Sequence, residues 1–405
     1  MIFRRFVSFF VLVFLAAACV EAGQRIIAIG DVHGSYEGLV SILVETEIID
    51  NEQNWIADDL ILVQVGDLLD RGRDVRQVMD LLIRLQNDAK EHQSQVIVLL
   101  GNHEALNLLG ILRDVNAEVY ATFADRRSKR RRKTHFRAFK HFWLHRAGQM
   151  GDDAPTFDGV KEQWYETHPP GFIEYIDALS ADGRYGQWLR TCPTSVKIGD
   201  TVFIHGGPGP ALRGSSIDEI NERITSELAA FDLVRSWCEE KNLVLELSSI
   251  HELVQATDPV ANNPELDFGL DLPDDVKDAI LLVDSWQDWF LIDPDGPLWF
   301  RGAAMWDESR QEDIDALMSN LDARRVVVGH TPQRTGAIRG RFDNRVFLID
   351  TGMLKSVYKG GQPSALEIID DTISAIYVGK KELLFDPNMP TPPLTEEAEE
   401  VQEAP

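Results

Sequence analysis

Seven residues of this chain pair a ligand-type side chain with the same local setting. Asp31, His33, Asp67, Asn102, His103, His205 and His330 each come shortly after an apolar run and lie close to a glycine. Carboxylates, imidazoles and an amide oxygen are hard to intermediate donors, suited to Mn, Fe or Zn rather than to thiolate-loving metals. One histidine after an apolar run is ordinarily a core or capping residue. Seven such donors in one repeated setting are not explained by packing. A catalytic zinc commonly takes three protein ligands, whereas two divalent ions about 3.5–4 Å apart take more and share one. Two divalent cations are therefore expected, with Mn first and Fe or Zn as alternatives. A water between two such ions loses its proton near neutral pH and becomes available as a hydroxide nucleophile.

The elements that must carry these groups can be read in order. Gln24–Gly30 reads as a strand delivering Asp31-Val32-His33-Gly34. A helix with Leu39, Ile42, Leu43 and Val44 follows it. Leu60–Val65 is a second strand, ending in Gly66-Asp67 and then Asp70-Arg71-Gly72. After an amphipathic helix carrying Val75, Val78, Met79, Leu81, Leu82 and Leu85, Gln95–Leu100 is a third strand, closed by Gly101-Asn102-His103-Glu104. Asp31, Asp67 and Asn102 stand 36 and 35 residues apart, the length of successive βαβ units. In open α/β sheets, ligands bind beyond the carboxyl ends of the strands. Asp67, on the middle unit, is the natural bridging carboxylate.

Residues 105–190 break this rhythm and read as a largely helical, aromatic-rich cap. Within it, Arg126–Lys140 holds nine Lys or Arg and no acid. This stretch is read as a solvated helix face, with polyanion or anionic-substrate binding as the alternative. Strands return at Ser195–Ile198 and Thr201–Ile204, joined by Gly199-Asp200 and leading to His205-Gly206-Gly207. Residues 211–300 form a second insertion, helical at first and loop-like from Asp258 to Asp278. Trp286, Trp289, Trp299 and Trp306 lie around its end, as core or as the lining of a substrate cleft. Arg325–Val328 delivers Gly329-His330, and Arg345–Ile349, Leu366–Ile369 and Ile373–Val378 read as closing strands.

Composition bounds the rest. The 405 residues carry 40 basic and 66 acidic side chains, a net charge of -26, which argues against general nucleic-acid binding. Arg4 and Arg5 precede an apolar stretch, Phe6–Ala18, too short to span a bilayer. Residues 1–22 therefore read as a signal peptide cleaved after Ala22, with lipidation of Cys19 and membrane anchoring as the alternative. Periplasmic or secreted localisation follows. There Cys192 and Cys238, the other two cysteines, are expected to pair. The domain is placed at residues 23–385, and residues 386–405, rich in Pro and Glu, read as a disordered tail.

Taken together, Gly30-Asp31-x-His33-Gly34, Gly66-Asp67-x-x-Asp70-Arg71-Gly72, Gly101-Asn102-His103-Glu104, His205-Gly206-Gly207 and Gly329-His330 resemble the phosphoprotein phosphatase (PPP) family of calcineurin-like metallophosphoesterases. The likeness is strongest to the bacterial Shewanella-like phosphatase branch. It implies an α/β fold, a β-sandwich flanked by helices with a largely helical cap insertion, and a metal-dependent phosphomonoesterase. It places Asp31, His33 and Asp67 on one metal and Asp67, Asn102, His205 and His330 on the other. His103 would protonate the leaving oxygen, oriented by Asp70. Arg71 would fork onto phosphoryl oxygens, with Asn102 facing the substrate as well. Arg301 is the candidate for a second phosphate-binding arginine, and Arg113 the alternative. The substrate would be a phosphorylated protein, on tyrosine or on serine/threonine. Two other readings stay open: hydrolysis of dinucleoside polyphosphates or another small phosphoester, and a non-enzymatic anion-binding protein built on the basic helix.

Overall fold

The computed structural model describes residues 23–150, 157–246, 248–263 and 271–389. The proposed signal peptide lies outside them, as does all but the start of the proposed tail. The N-terminal half alternates strand and helix: β1 (Arg25–Ile29), α1 (Tyr36–Glu45), β2 (Leu60–Gln64), α2 (Val75–Asp88) and β3 (Gln95–Val98). Helices α3 (Asn102–Leu108), α4 (Ala117–Phe123), α5 (Ser128–Met150), α6 (Phe157–Thr167), α7 (Phe172–Leu179) and α8 (Arg184–Leu189) lead to the hairpin β4 (Ser195–Ile198) and β5 (Thr201–Ile204). Next come α9 (Ile217–Glu240), α10 (Ile250–Asn262), α11 (Asp274–Asp284), α12 (Gly302–Met305) and α13 (Gln311–Asn320). The chain closes with β6 (Arg325–Val328), β7 (Arg339–Arg341), β8 (Val346–Leu348), β9 (Ser364–Ile369), β10 (Thr372–Tyr377) and β11 (Lys380–Phe385).

These strands form two sheets, β11-β10-β9-β1-β2-β3 and β4-β5-β6-β8-β7. Strands β1, β2 and β3 are parallel, and so are β5, β6 and β8. Strand alternation sorts the side chains. Ile26, Ala28, Ile61, Val63 and Ile97 face Val196, Phe203, Val327 and Phe347 in a core between the sheets. Ile27, Ile29, Leu62, Val98, Ile204 and Val328 pack outward with the helices. Being buried on both faces, the parallel strands read as unbroken apolar runs rather than alternating ones. The result is a helix-flanked sandwich whose parallel strands deliver six loops to one site.

Three expectations need correction. Cys192 and Cys238 are both buried free thiols. Cys192 Sγ turns back onto Trp188 O of its own helical turn, and Cys238 is packed inside α9. The stretch 258–278 is not simply loop. α10 runs on to Asn262, and α11 begins at Asp274, burying Val276, Ala279, Ile280 and Val283 while its acids sit on the favourable first turn. β7 and β11 add two strands to those the sequence predicts. Arg339-Gly340-Arg341 has no apolar residue, and β11 is a half-exposed edge whose lysines suit an unpaired rim.

Candidate active site

The site begins with the loop after β2. Glu104, fully buried, accepts hydrogen bonds from the backbone N–H groups of Asp67 (2.8 Å), Leu68 (2.9 Å) and Leu69 (3.0 Å) through its carboxylate, and from Gly101 (2.8 Å). One carboxylate thus ties the β2 loop to the β3 loop. The fit is close, since a Cβ on Gly101 would stand 2.2 Å from Asp67 Oδ1. Glu104→Ala leaves four buried N–H groups unpaired and is expected to destabilise the fold by about 4 kcal/mol or more, with Glu104→Gln between it and wild type. Thermal unfolding of both variants checks this.

On that frame the donors converge. His33 Nδ1 donates to Leu69 O at 2.8 Å, leaving the Nε2 lone pair 3.6 Å from Asp67 Oδ2 and 3.8 Å from Asp31 Oδ2. His205 Nδ1 donates to Val65 O at 2.8 Å, and its Nε2 faces Asn102 Oδ1 at 2.9 Å and Asp67 Oδ1 at 3.3 Å. The rings of His205 and His330 lie 5.0 Å apart. Three sets of donor atoms, His33/Asp67/His103, Asp67/His205/His330 and Asp70/His103/Asp114, each fall within 4.8 Å, and the first two share Asp67. Asp31, His33, Asp67, Asn102, His205 and His330 are all buried. The backbone strains to deliver them: His33, Asp67, Asp70, Arg71 and His330 have φ of 45°, 56°, 66°, 63° and 65°, the left-handed region that non-glycine residues avoid.

The electrostatics fit cations. Burial lowers His33 to about 3, only partly offset by the Asp67 charge, and drives His330 well below the ordinary range, so both are neutral ligand-type imidazoles. Burial raises Asp67, but its close contacts with the imidazoles around it outweigh that and hold it well below the ordinary carboxylate range. Asp31 is pushed up by burial and then by the Asp350 and Asp67 charges, and burial pushes Asp350 up to about 6. Asp31 Oδ2 and Asp350 Oδ2 are buried without any hydrogen-bond partner. At His205, lone pairs of a nitrogen, an amide oxygen and a carboxylate face one another, which is repulsive unless positive charge lies among them. The residues present therefore fit divalent cations.

A pH prediction follows for protein stripped of metal. Asp31 and Asp350 hold protons more tightly folded than unfolded. Their contribution is full below the unfolded value of 3.8 and is lost as pH rises through the folded value, about 6 for Asp350. Stripped protein should lose on the order of 3 kcal/mol between about pH 4 and 7 from Asp350 alone. A divalent metal should reverse the trend. Melting curves across that range, with and without Mn²⁺, are the check.

Beside the donor cluster stands a second group. His103 Nδ1 is 2.6 Å from Asp70 Oδ2. Burial lowers the His103 imidazole, but the Asp67 charge and the Asp70 hydrogen bond outweigh it, leaving the ring more basic than usual. Arg71 Nη2 lies 3.0 Å from His103 Nε2, and Arg71 Nη1 lies against His33 Nε2 and the Tyr358 hydroxyl. Arg71 Nη2 thus donates to His103 Nε2; an anion that takes over the Arg71 N–H groups would free His103 Nε2 to carry a proton toward it.

The profile of the calcineurin-like phosphoesterase family matches residues 24–334. The chain belongs to that family. Shewanella-like protein phosphatase 1 of Plasmodium berghei is 27% identical over 357 residues, covering 87% of this chain and 74% of the relative. Shewanella-like protein phosphatase 2 of Arabidopsis thaliana is 27% identical over 250 residues, covering 57% and 59%. Among solved structures, the cold-active protein-tyrosine phosphatase of a psychrophilic Shewanella species superposes with a TM-score of 0.56 at 22% identity, covering 91% of this chain and 82% of that one. That likeness speaks to the fold.

Further residues of this phosphoesterase complete the site. Arg301, between the late histidines, donates from Nη1 to His330 O and Thr331 Oγ1, both at 3.1 Å. Arg113 pairs with Asp114, lies over the Trp299 ring and lines the same cleft as Arg301. Three participants escaped the sequence reading. Asp350 stands two residues after β8 with Gly352 close behind it, a strand-end acid beside a glycine as at Asp67, so the signal was present. Tyr358 arrives on a loop with no strand to announce it. Asn107 donates to both Asp70 oxygens at 3.1 Å and receives the Tyr175 hydroxyl of α7 at 2.6 Å, so the cap helps to fix the Asp70–His103 pair. Of the four tryptophans, Trp289 is core, while Trp286, Trp299 and Trp306 line a cleft of about 900 Å³ that reaches Arg301.

Proposed function

We propose that this phosphoesterase hydrolyses phosphomonoesters on proteins, with aryl esters such as phosphotyrosine as the preferred class. The observation that carries the reading is one buried carboxylate, Asp67, shared by two donor sets beside Arg71, whose Nη2 lies 3.0 Å from His103 Nε2. The relatives named protein phosphatases support the substrate class. In this reading Asp31, His33 and Asp67 would hold one divalent cation, and Asp67, Asn102, His205 and His330 the other, a mixed set of oxygen and imidazole donors that suits Mn, Fe or Zn. Bound there, the pair supplies Lewis acidity and an activated water nucleophile. Arg71 forks onto two phosphoryl oxygens, which a lysine cannot copy. His103 hands its Nε2 proton to the leaving oxygen while Asp70 keeps Nδ1 protonated and the ring in place. Arg301 steadies the phosphoryl group from the His330 side. No phosphorylated side chain is expected as an intermediate.

The cleft bordered by Ile111, Trp286, Trp299 and Trp306 offers an apolar aromatic seat beside Arg301. Trp306→Ala is expected to raise KM for a phosphotyrosine peptide about tenfold and leave a phosphoserine peptide nearly unchanged. Steady-state kinetics on both peptides is the measurement. Export, with residues 1–22 as signal peptide, belongs to the same proposal, and fractionation of cells expressing the full chain tests it. The decisive experiment is a turnover screen of phosphotyrosine, phosphothreonine and diadenosine tetraphosphate, on protein with its metals quantified. Faster cleavage of the dinucleotide than of either peptide would overturn the protein-phosphatase reading.

A further inference from the structure

We infer that the exposed basic stripe of α5 binds an acidic segment of the phosphoprotein substrate. The inference rests on the protein-phosphatase reading and gives that substrate a further feature. α5 has two unlike faces. Arg131 turns inward to pair with Asp125 and Glu174, and Arg132 bonds Tyr165 O and lies 4.6 Å over the Tyr165 ring. Phe136 is buried on the same side, its ring 5.2 Å from Trp164 of α6. Lys129, Arg130, Lys133 and Arg137 are exposed and form no ion pair among the described residues. Lys140, also exposed, lies over the Phe157 ring and forms no ion pair among the described residues. At 3.6 residues per turn these five fall within an arc of about 100° and run for about 17 Å. The stripe matches five to six residues of extended peptide.

This pattern carries local electrostatic costs. Lys129–Lys133 and Lys133–Arg137 repel at i,i+4, and Arg130–Lys133 and Arg137–Lys140 at i,i+3. Cations also occupy the first turn, where the helix dipole is positive, and no acid is there to offset them. A merely solvated face would gain from interspersed acids, which this chain has in excess, 66 against 40 basic residues. A partner that brings its own negative charges removes every one of these costs at once. Phe136 and Phe139 of α5 pack against Trp164 of α6, so these aromatic side chains are turned away from any lipid surface. No aromatic residue interleaves the basic ones on the exposed face, as stacking on nucleic-acid bases would require.

The stripe is within reach of the chemistry. Asn116 Nδ2 donates to Arg71 O at 2.7 Å, and only α4 and a short turn separate Asn116 from α5. Chain geometry limits the Asn116–Lys129 separation to roughly 30 Å, which about nine extended residues cover. A phosphoresidue at Arg71 and an acidic run some five to nine residues away can therefore engage together.

The test uses the full-length, metal-loaded protein and the variant Lys129→Gln/Arg130→Gln/Lys133→Gln/Arg137→Gln. Two phosphotyrosine peptides are compared, one with six Glu placed eight residues from the phosphoresidue and one with six Gln. The Glu peptide should have a KM about tenfold lower than the Gln peptide on wild type, with kcat unchanged. The advantage should vanish in the variant and at high salt. Turnover of a small aryl phosphate should be the same in both proteins. Fluorescence anisotropy of an unphosphorylated Glu-tailed peptide reads the stripe independently of catalysis: binding by wild type and not by the variant supports the proposal. Equal binding of that peptide by both proteins overturns it, as does equal KM for the two phosphopeptides. Binding of anionic vesicles through the stripe with no peptide discrimination also overturns it. Failure to hydrolyse any phosphoester would instead defeat the phosphatase reading, and the anisotropy result would still decide the stripe.

Discussion

Asp67→Asn should cut metal-dependent phosphatase turnover at least about 10³-fold, a loss of roughly 4 kcal/mol of transition-state stabilisation. The reason is that Asp67 is the carboxylate common to two donor sets. Asparagine keeps the shape and keeps an oxygen to accept the backbone N–H of His103, now bonded to Asp67 Oδ1 at 3.0 Å. What it removes is the one charge that serves both cations. Two signatures separate this from simple damage. The metal-free variant should melt close to metal-free wild type, because the Glu104 staple is untouched. Added Mn²⁺ should raise the melting temperature of wild type by mass action but hardly that of the variant. A variant holding two metals per chain and turning over within tenfold of wild type would sink the shared-ligand assignment.

The second large effect belongs to His103. His103→Ala is expected to lower kcat by about 10²–10⁴-fold on phosphoserine peptides, whose alkoxide leaving group needs a proton. On aryl phosphates with acidic phenols the loss should shrink to about tenfold or less. Asp70→Asn should follow the same leaving-group pattern more weakly, because it disorients the ring without removing it. The double variant should be no worse than His103→Ala alone, since the two act as one unit. A plot of log kcat against leaving-group pKa for the three variants reads this directly. Equal losses on alkyl and aryl esters would assign His103 to binding rather than to proton transfer.

What was legible in the sequence has a common physical cause. Asp31, Asp67, Asn102, His205 and His330 each stand one to four residues after the end of a short buried strand, beside a glycine. A strand buried on both faces leaves an unbroken apolar run that its polar end makes conspicuous. Cap helices were visible as a loss of that rhythm, though their boundaries were not. The unread parts depend on contacts between distant residues. Glu104 could be seen in its motif, but its grip on three consecutive N–H groups of the β2 loop exists only once the two parallel strands lie side by side. The Tyr175–Asn107–Asp70 chain joins residues 68 and 37 apart, and no local pattern announces it. The cysteine pairing failed for the same reason: compartment and count say nothing of where two thiols come to rest. The basic stretch on α5 shows the limit from the other side. Its charges were plain, but which of them face inward was not.

The left-handed backbone at His33, Asp67, Asp70, Arg71 and His330 bears on how such a chain drifts over generations. Glycine is the residue most at ease at those angles, so a change such as Arg71→Gly relieves local strain while erasing function. Random mutation therefore finds routes to a sturdier, inert descendant more easily than to a sturdier enzyme. Only continued demand for the reaction holds non-glycine residues there. In a duplicated copy freed from that demand, these five positions are where decay should first appear.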